Sequence, residues 1–308
     1  MSGRTAKYLI KRILLAIFTV FVVITITFFV MHKVPGGPFL GEKAVSPAAQ
    51  KAIEAKYGLD QPLFKQYLTY LRGVLQLDFG PSLKQRGRLV IDVIGDGMKT
   101  SAKLGVIAAI CALILGIILG AFAALKRNTV LDRIIMVLTT AFVSMPSFII
   151  GTLLLVWFAL KLKVVPANGT TPQGLILPII TLMLYPMAYI TRLTRSSMLD
   201  VLSQDYIRTA KAKGVSRNKV IFKHALKNAL VPVITYFGPM LAYIVTGSLV
   251  VEQIFAVPGI GRAFVQSITN RDYTLVMGTT IILSSLIVMM NLVSDILYKI
   301  ADPRINLD

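Results

Sequence analysis

A chain of 308 residues that is 55% hydrophobic and only 15% charged, with a mean hydropathy of +0.72, carries more apolar surface than a soluble core hides, which excludes an ordinary water-soluble domain. The formal net charge of +19 reads as membrane topology and contact with anionic membrane lipid, with no nucleic acid as partner. Cys111 is the only cysteine, so an intrachain disulfide is excluded and a cysteine-based metal site is argued against.

Six runs without charged residues approach or exceed the ~20 helical residues needed to cross about 30 Å of hydrocarbon. They are 13–31, 104–125, 134–160, 175–191, 229–251 and 273–294. The stretch from Arg4 to Arg12 before the first run resembles the start of a cleavable signal. The run is long and no small-residue cleavage site follows, so an uncleaved first span is expected. Val34-Pro-Gly-Gly-Pro38 then stops the helix. Helical spacing over 47–57 and 62–77 predicts a small extracytoplasmic helical segment. Its apolar residues, Tyr57, Leu63, Phe64, Tyr67, Tyr70 and Leu71, pack on the outer ends of the helices or dock a partner.

The second run carries Gly105, Gly116 and Gly120 among many alanines, a pattern that lets helix backbones approach and places this helix inside a bundle. In the third, Ser144-Met145-Pro146-Ser147 either kinks a span or ends a helix arriving along the membrane surface. The fourth is short and holds Pro178 and Pro186.

The polar segment 200–227, with seven basic and two acidic residues, separates the fourth and fifth runs. Asp205 to Lys213 reads as a helix with its acid at the start and Lys at the end, matching the macrodipole. Gly214 suits a left-handed C-terminal cap and Ser216 the start of a second helix leading into the fifth span. Tyr206, Ile207, Ala210 and Val215 form the expected contact surface of this helix, turn and helix, ringed by Lys and Arg. Further on, Val257-Pro-Gly-Ile-Gly261 makes a double-glycine turn before a short amphipathic piece, 263–268, that dips toward the membrane or caps it, and Asn270-Arg-Asp-Tyr273 opens the sixth span.

With the N-terminus in the cytoplasm, 18 basic residues fall on that side and four in the short outer loops, as the positive-inside rule requires. Both termini are therefore expected inside. The fold class is an all-α integral membrane protein with six transmembrane helices. Its parts are a tail and first helix (1–31), an extracytoplasmic segment (32–99) and a five-helix core (100–308) holding the cytoplasmic loop 192–228.

No G-x-x-x-x-G-K-[ST] loop, H-E-x-x-H or G-x-S-x-G motif occurs, and His32 and His224 lie far apart. Neither a metal site nor catalysis is expected, and no catalytic residue is assigned. Glu252 and Asp295, the acids of the fifth and sixth spans, lie toward opposite faces and make a poor proton relay.

The Ala210-x-x-x-Gly214 core resembles the EAA loop of binding-protein-dependent ABC importers. The ordered set Pro35-Gly-Gly-Pro38, Tyr57-Gly-Leu, Asp78-Phe-Gly-Pro-Ser82, Tyr206-Ile-Arg-Thr-Ala-Lys-Ala-Lys-Gly214, Gly247-Ser-Leu-Val-Val-Glu252, Pro258-Gly-Ile-Gly261, Asn270-Arg-Asp-Tyr273 and Asp302-Pro-Arg304 is similar to the B-type permease subunits of oligopeptide ABC transporters. The resemblance covers essentially the whole chain, and Asp78-Phe-Gly-Pro-Ser82 looks more like the oligopeptide than the dipeptide or nickel branches.

The resemblance implies a type I importer permease in the bacterial cell membrane. Its partners would be a second homologous permease subunit, two cytoplasmic ATPase subunits and an extracytoplasmic peptide-binding protein. ATP and Mg would be bound by the ATPases, with no cofactor on this chain. Tyr206, Ile207, Arg208, Thr209, Ala210, Lys211, Gly214 and Val215 would then couple to an ATPase. Arg208 and Thr209 stand where the wider family has Glu-Ala, and Lys227 where it has proline.

Tyr185, Tyr236, Tyr243, Thr246 and Ser248 are candidates for the substrate pathway, each with helix packing as the alternative. Other functional readings are transport of dipeptides, nickel or another small solute, an ion-coupled secondary transporter, and a receptor or anchor that uses the loop only for docking.

Overall fold

The computed structural model of the chain describes residues 3–33, 58 and 60–301, with side chains described over 10–33, 58 and 60–293. Pro35-Gly-Gly-Pro38, the expected helix over 47–57, Tyr57, the Asp295 side chain and Asp302-Pro-Arg304 lie outside the described residues. The elements among those residues are α1 (Gly3–Lys33), α2 (Leu63–Leu75), α3 (Val90–Leu125), α4 (Val130–Ser144), α5 (Ser147–Leu154), α6 (Ile176–Leu202), α7 (Asp205–Ala212), α8 (Arg217–Lys219), α9 (Lys227–Ala229), α10 (Val231–Val245), α11 (Leu249–Ile254), α12 (Ile260–Thr269) and α13 (Tyr273–Ala301). Wide π-helical turns at Leu155–Lys161 and Val220–Leu226 extend α5 and join α8 to α9.

Five helical stretches are long and apolar enough to cross a membrane, and the bent pair Val130–Ser144 and Ser147–Lys161 makes a sixth if it counts as one span. The protein is a multi-pass membrane protein. The third run is two helices meeting at 106°. Met145, ahead of Pro146, is extended at φ −85 and ψ 128, the conformation a following proline imposes. The fifth run is also interrupted, because Gly247 takes φ +94 and α11 restarts with the Ser248 hydroxyl accepting the Val251 N–H at 3.2 Å. The second is longer than its apolar run: Asp92, Asp96, Lys99 and Lys103 belong to the same helix, since charge at the end of a span does not break its backbone hydrogen bonding.

The chain divides into two compact units, 1–99 with 258–288 and 100–257 with 289–308. The core of the first gathers Ile24, Phe79, Val90, Ile94, Ile260 and Leu275. Here α2 lies against α1 and α13 through Tyr67, Phe28 and Met277, with Thr25 and Tyr67 sharing a hydroxyl hydrogen bond of 2.8 Å. Of the apolar residues in the segment between α1 and α3, Tyr67, Tyr70 and Leu71 pack inward, while Leu63 and Phe64 stay exposed.

In the second unit α6 is central: 56% of its most apolar stretch is buried inside the protein, against 11% for that of α1. Close approach of α3 explains the glycines of the second run. A Cβ at Gly120 would lie 2.5 Å from the Thr191 carbonyl oxygen, and one at Gly105 2.8 Å from that of Ile244, so only hydrogen fits between these backbones.

Candidate functional site

The segment after α6 folds as a helix, a tight turn and a helix. Gly214 has φ +74. The Val215 N–H reaches back to the Ala210 carbonyl at 3.2 Å and the Gly214 N–H to that of Lys211 at 3.0 Å. These two bonds satisfy carbonyls that a helix end leaves unpaired, and the left-handed residue that permits them is nearly free of strain only as glycine. Ala210 and Val215, at the two ends of the longer bond, both pack on one apolar cluster. The Ala210-x-x-x-Gly214 spacing is therefore the spacing of this cap. Ser216 occupies the N-cap of α8, yet its side chain makes no capping hydrogen bond.

The eight sequence-selected residues of this segment divide by face. Ile207, expected on the contact surface, is instead fully buried among Ala124, Met198, Val220, Ala225 and Ala229. Ala210 and Val215 are half-buried on that cluster, leaving Tyr206, Arg208, Thr209, Lys211 and Gly214 exposed. Tyr206 is steadied by Asn228, whose Nδ2 donates to the phenol oxygen at 2.9 Å. Arg208 lies 3.5 Å from Asp205, both widely exposed, a contact that solvent weakens to little. A 410 Å³ cleft beside α7 is lined by Leu125, Leu202, Val215, Val220 and Ile221 together with Lys211 and Arg217.

The α6 end that carries this segment is tied to α4 by an ion pair absent from the sequence expectations. Arg195 donates from Nε and Nη2 to the two carboxylate oxygens of Asp132 at 2.7 and 2.8 Å. Asp132 also accepts the Asn128 N–H at 2.9 Å. In sequence Arg195 is one of several cations counted for topology, and only an acid at the first turn of α4 hinted at a partner.

The pathway candidates also separate. Thr246 is buried and donates its hydroxyl to the Tyr243 carbonyl at 2.7 Å, and the Ser248 hydroxyl caps α11, so both are engaged by nearby backbone. Glu252, fully buried, accepts the Ser101 hydroxyl at 2.7 Å and the Ser248 N–H at 3.2 Å. Tyr185 is exposed, Tyr243 is 81% exposed, and Tyr236 lies against Tyr189 with ring centroids 4.4 Å apart. Tyr189 was missed in the sequence, although its place one turn after Tyr185 puts it on the same face.

Residues 116–307, which contain all of these groups except Ser101, match the family described as "Binding-protein-dependent transport system inner membrane component", and residues 5–104 match its N-terminal counterpart. The chain belongs to this family. Among relatives of this transport component, "Dipeptide transport system permease protein DppB" of Bacillus subtilis (strain 168) is 48% identical over 98% of each chain. "Oligopeptide transport system permease protein OppB" of Haemophilus influenzae is 45% identical over 97% of this chain and 99% of its own. The protein of that name from Escherichia coli (strain K12) is 44% identical over the same shares.

Proposed function

We propose that this chain is the transmembrane permease subunit of an ATP-driven ABC importer for oligopeptides, forming half of the translocation pore with a second, homologous permease. Two cytoplasmic ATPases bind ATP and Mg and dock on the exposed face of α7, and an extracytoplasmic binding protein delivers the peptide. Both termini lie in the cytoplasm, a reading supported by the 18 basic residues against four in the short outer loops.

The observation that carries the reading is the attachment of α7. Only Ser203 and Gln204 separate it from α6, Ile207 seats it on a cluster shared with Met198, and the segment that follows its glycine cap runs through α8 and α9 into α10. A push on Arg208, Thr209 or Lys211 therefore reaches the fourth and fifth spans together, as a rigid lever should. Tyr185, Tyr236 and Tyr243 contribute to the route between them, giving polar contacts without strong side-chain selectivity.

The name of the Bacillus relative favours dipeptides as a second reading. Proteoliposomes containing this chain, its second permease, the ATPases and the binding protein are expected to take up peptides of four or five residues only with ATP. Preference for dipeptides would select the second reading, and uptake by this chain alone on an ion gradient would overturn both.

A further inference from the structure

Among residues 177–202, the exposed positions are Tyr185, Tyr189, Arg192, Ser196 and Asp200. Their spacing of four, three, four and four places them on one face of α6, and every one is polar. Two other long helices present the opposite surface along their apolar runs: Ile110, Ile114, Ile118 and Phe122 on α3, and Phe18 and Phe21 on α1, are apolar and exposed. A strip from Tyr185 to Ser196 runs about 16 Å at 1.5 Å per residue, roughly half the hydrocarbon thickness. Tyr185 and Tyr189 lie inside the charge-free run 175–191, where phenols turned toward lipid tails would leave their hydroxyls without partners, and Arg192 and Ser196 continue the strip at the cytoplasmic end of the span.

The two arginines of this helix differ. Arg195 is fixed by Asp132, whereas Arg192, one turn earlier and exposed, has no hydrogen-bond or ion-pair partner among the described residues. Above it on the strip, Tyr189 is braced by the ring of Tyr236 from α10. Resting on the functional reading above, we propose that this strip is the wall along which peptide passes, with Tyr189 offering its ring and hydroxyl to any backbone and Arg192 receiving the C-terminal carboxylate. Unmodified linear peptides share a backbone and a terminal carboxylate whatever their side chains, and a forked guanidinium matches the carboxylate geometry. A wall built from these groups suits a pore that accepts varied sequences.

The test uses the assembled importer with Cys111→Ala as background. Tyr189→Cys and Ser196→Cys are expected to react with a membrane-impermeant methanethiosulfonate, more slowly during peptide transport, while Ile114→Cys does not react. Arg192→Gln is expected to lower uptake of a free-carboxylate pentapeptide about tenfold relative to its C-terminally amidated form. Normal ATP-driven uptake with inert cysteines at 189 and 196, or with those cysteines cross-linking to the second permease unaffected by peptide, would overturn the wall and leave the importer reading intact. Equal loss for both peptides would overturn the carboxylate role. Absence of uptake in the Cys111→Ala parent, and in the unmodified complex, would instead remove the functional reading beneath it.

Discussion

Ser82 donates its hydroxyl to the carboxylate of Asp272, a residue 190 positions later and almost completely buried. The same carboxylate accepts the Leu83 N–H at 3.1 Å, the Thr274 hydroxyl at 3.1 Å and, as the cap of α13, the Leu275 N–H at 3.2 Å. Asp78-Phe-Gly-Pro-Ser82 and Asn270-Arg-Asp-Tyr273 are thus two halves of one junction. A buried carboxylate with this many donors is stable where it is, and removing either side leaves polar groups without partners.

Asp272→Ala is therefore expected to destabilise the protein by about 2–4 kcal/mol and Ser82→Ala by about 1–2 kcal/mol. Thermal unfolding of the detergent-purified chain, followed by tryptophan fluorescence or cysteine accessibility, measures both. An Ser82→Ala variant less stable than Asp272→Ala would contradict the carboxylate's central place.

The Asp132–Arg195 pair predicts strong non-additivity. Removing Arg195 alone leaves a buried carboxylate and is expected to cost roughly 3 kcal/mol, while the apolar double variant Asp132→Leu/Arg195→Met recovers most of that loss. A double-mutant cycle on denaturation midpoints checks this, and simple additivity would show that the two charges are held independently.

Gly214 separates backbone strain from crowding, because nothing lies within 4 Å of a Cβ built there while φ is +74. Gly214→Ala should cost about 1 kcal/mol and Gly214→Asn less. In the reconstituted complex, peptide-stimulated ATP hydrolysis is expected to fall in the order Gly, Asn, Ala, Val. Equal activity of Asn and Val variants would remove the cap from the coupling argument.

Ile207 and Arg208 are neighbours with opposite duties. Ile207→Ala opens a cavity and is expected to lower stability by about 2–4 kcal/mol. Arg208→Ala should leave the unfolding temperature within error, since both members of its ion pair with Asp205 are exposed, yet reduce coupling of ATP hydrolysis to uptake. Measuring stability and coupled transport on the same preparations distinguishes the two.

Two glycines of α3 give a paired comparison. Gly120→Ala drives a methyl group into the Thr191 backbone and should cost about 1–3 kcal/mol, whereas Gly95 has nothing within 4 Å of a Cβ, so Gly95→Ala should be neutral or stabilising by up to about 1 kcal/mol. Differential scanning fluorimetry on both variants reads the sign directly.

The apolar runs and the Ala210 to Gly214 spacing were legible in the sequence because each depends on local properties: transfer of side chains into lipid, and the hydrogen bonds of a single helix end. The sequence also marked Pro146 as a break, but a proline states only that a helix cannot continue in its ordinary form, and the 106° turn depends on what the two pieces pack against. Ile207 shows the limit at the candidate site. An apolar residue on a short polar helix has one side in either direction, and only the position of Met198 and Ala225 turned it inward.

By itself, then, the sequence determined that this is a helical membrane protein of a recognisable family with a glycine-capped helix between its fourth and fifth spans. Tertiary structure alone decided that Ser82 meets Asp272, that Arg195 is fixed by Asp132 while Arg192 stays open, and that the exposed strip of α6 is polar. Such pairings join positions far apart in the chain, and their energy exists only once the helices are side by side.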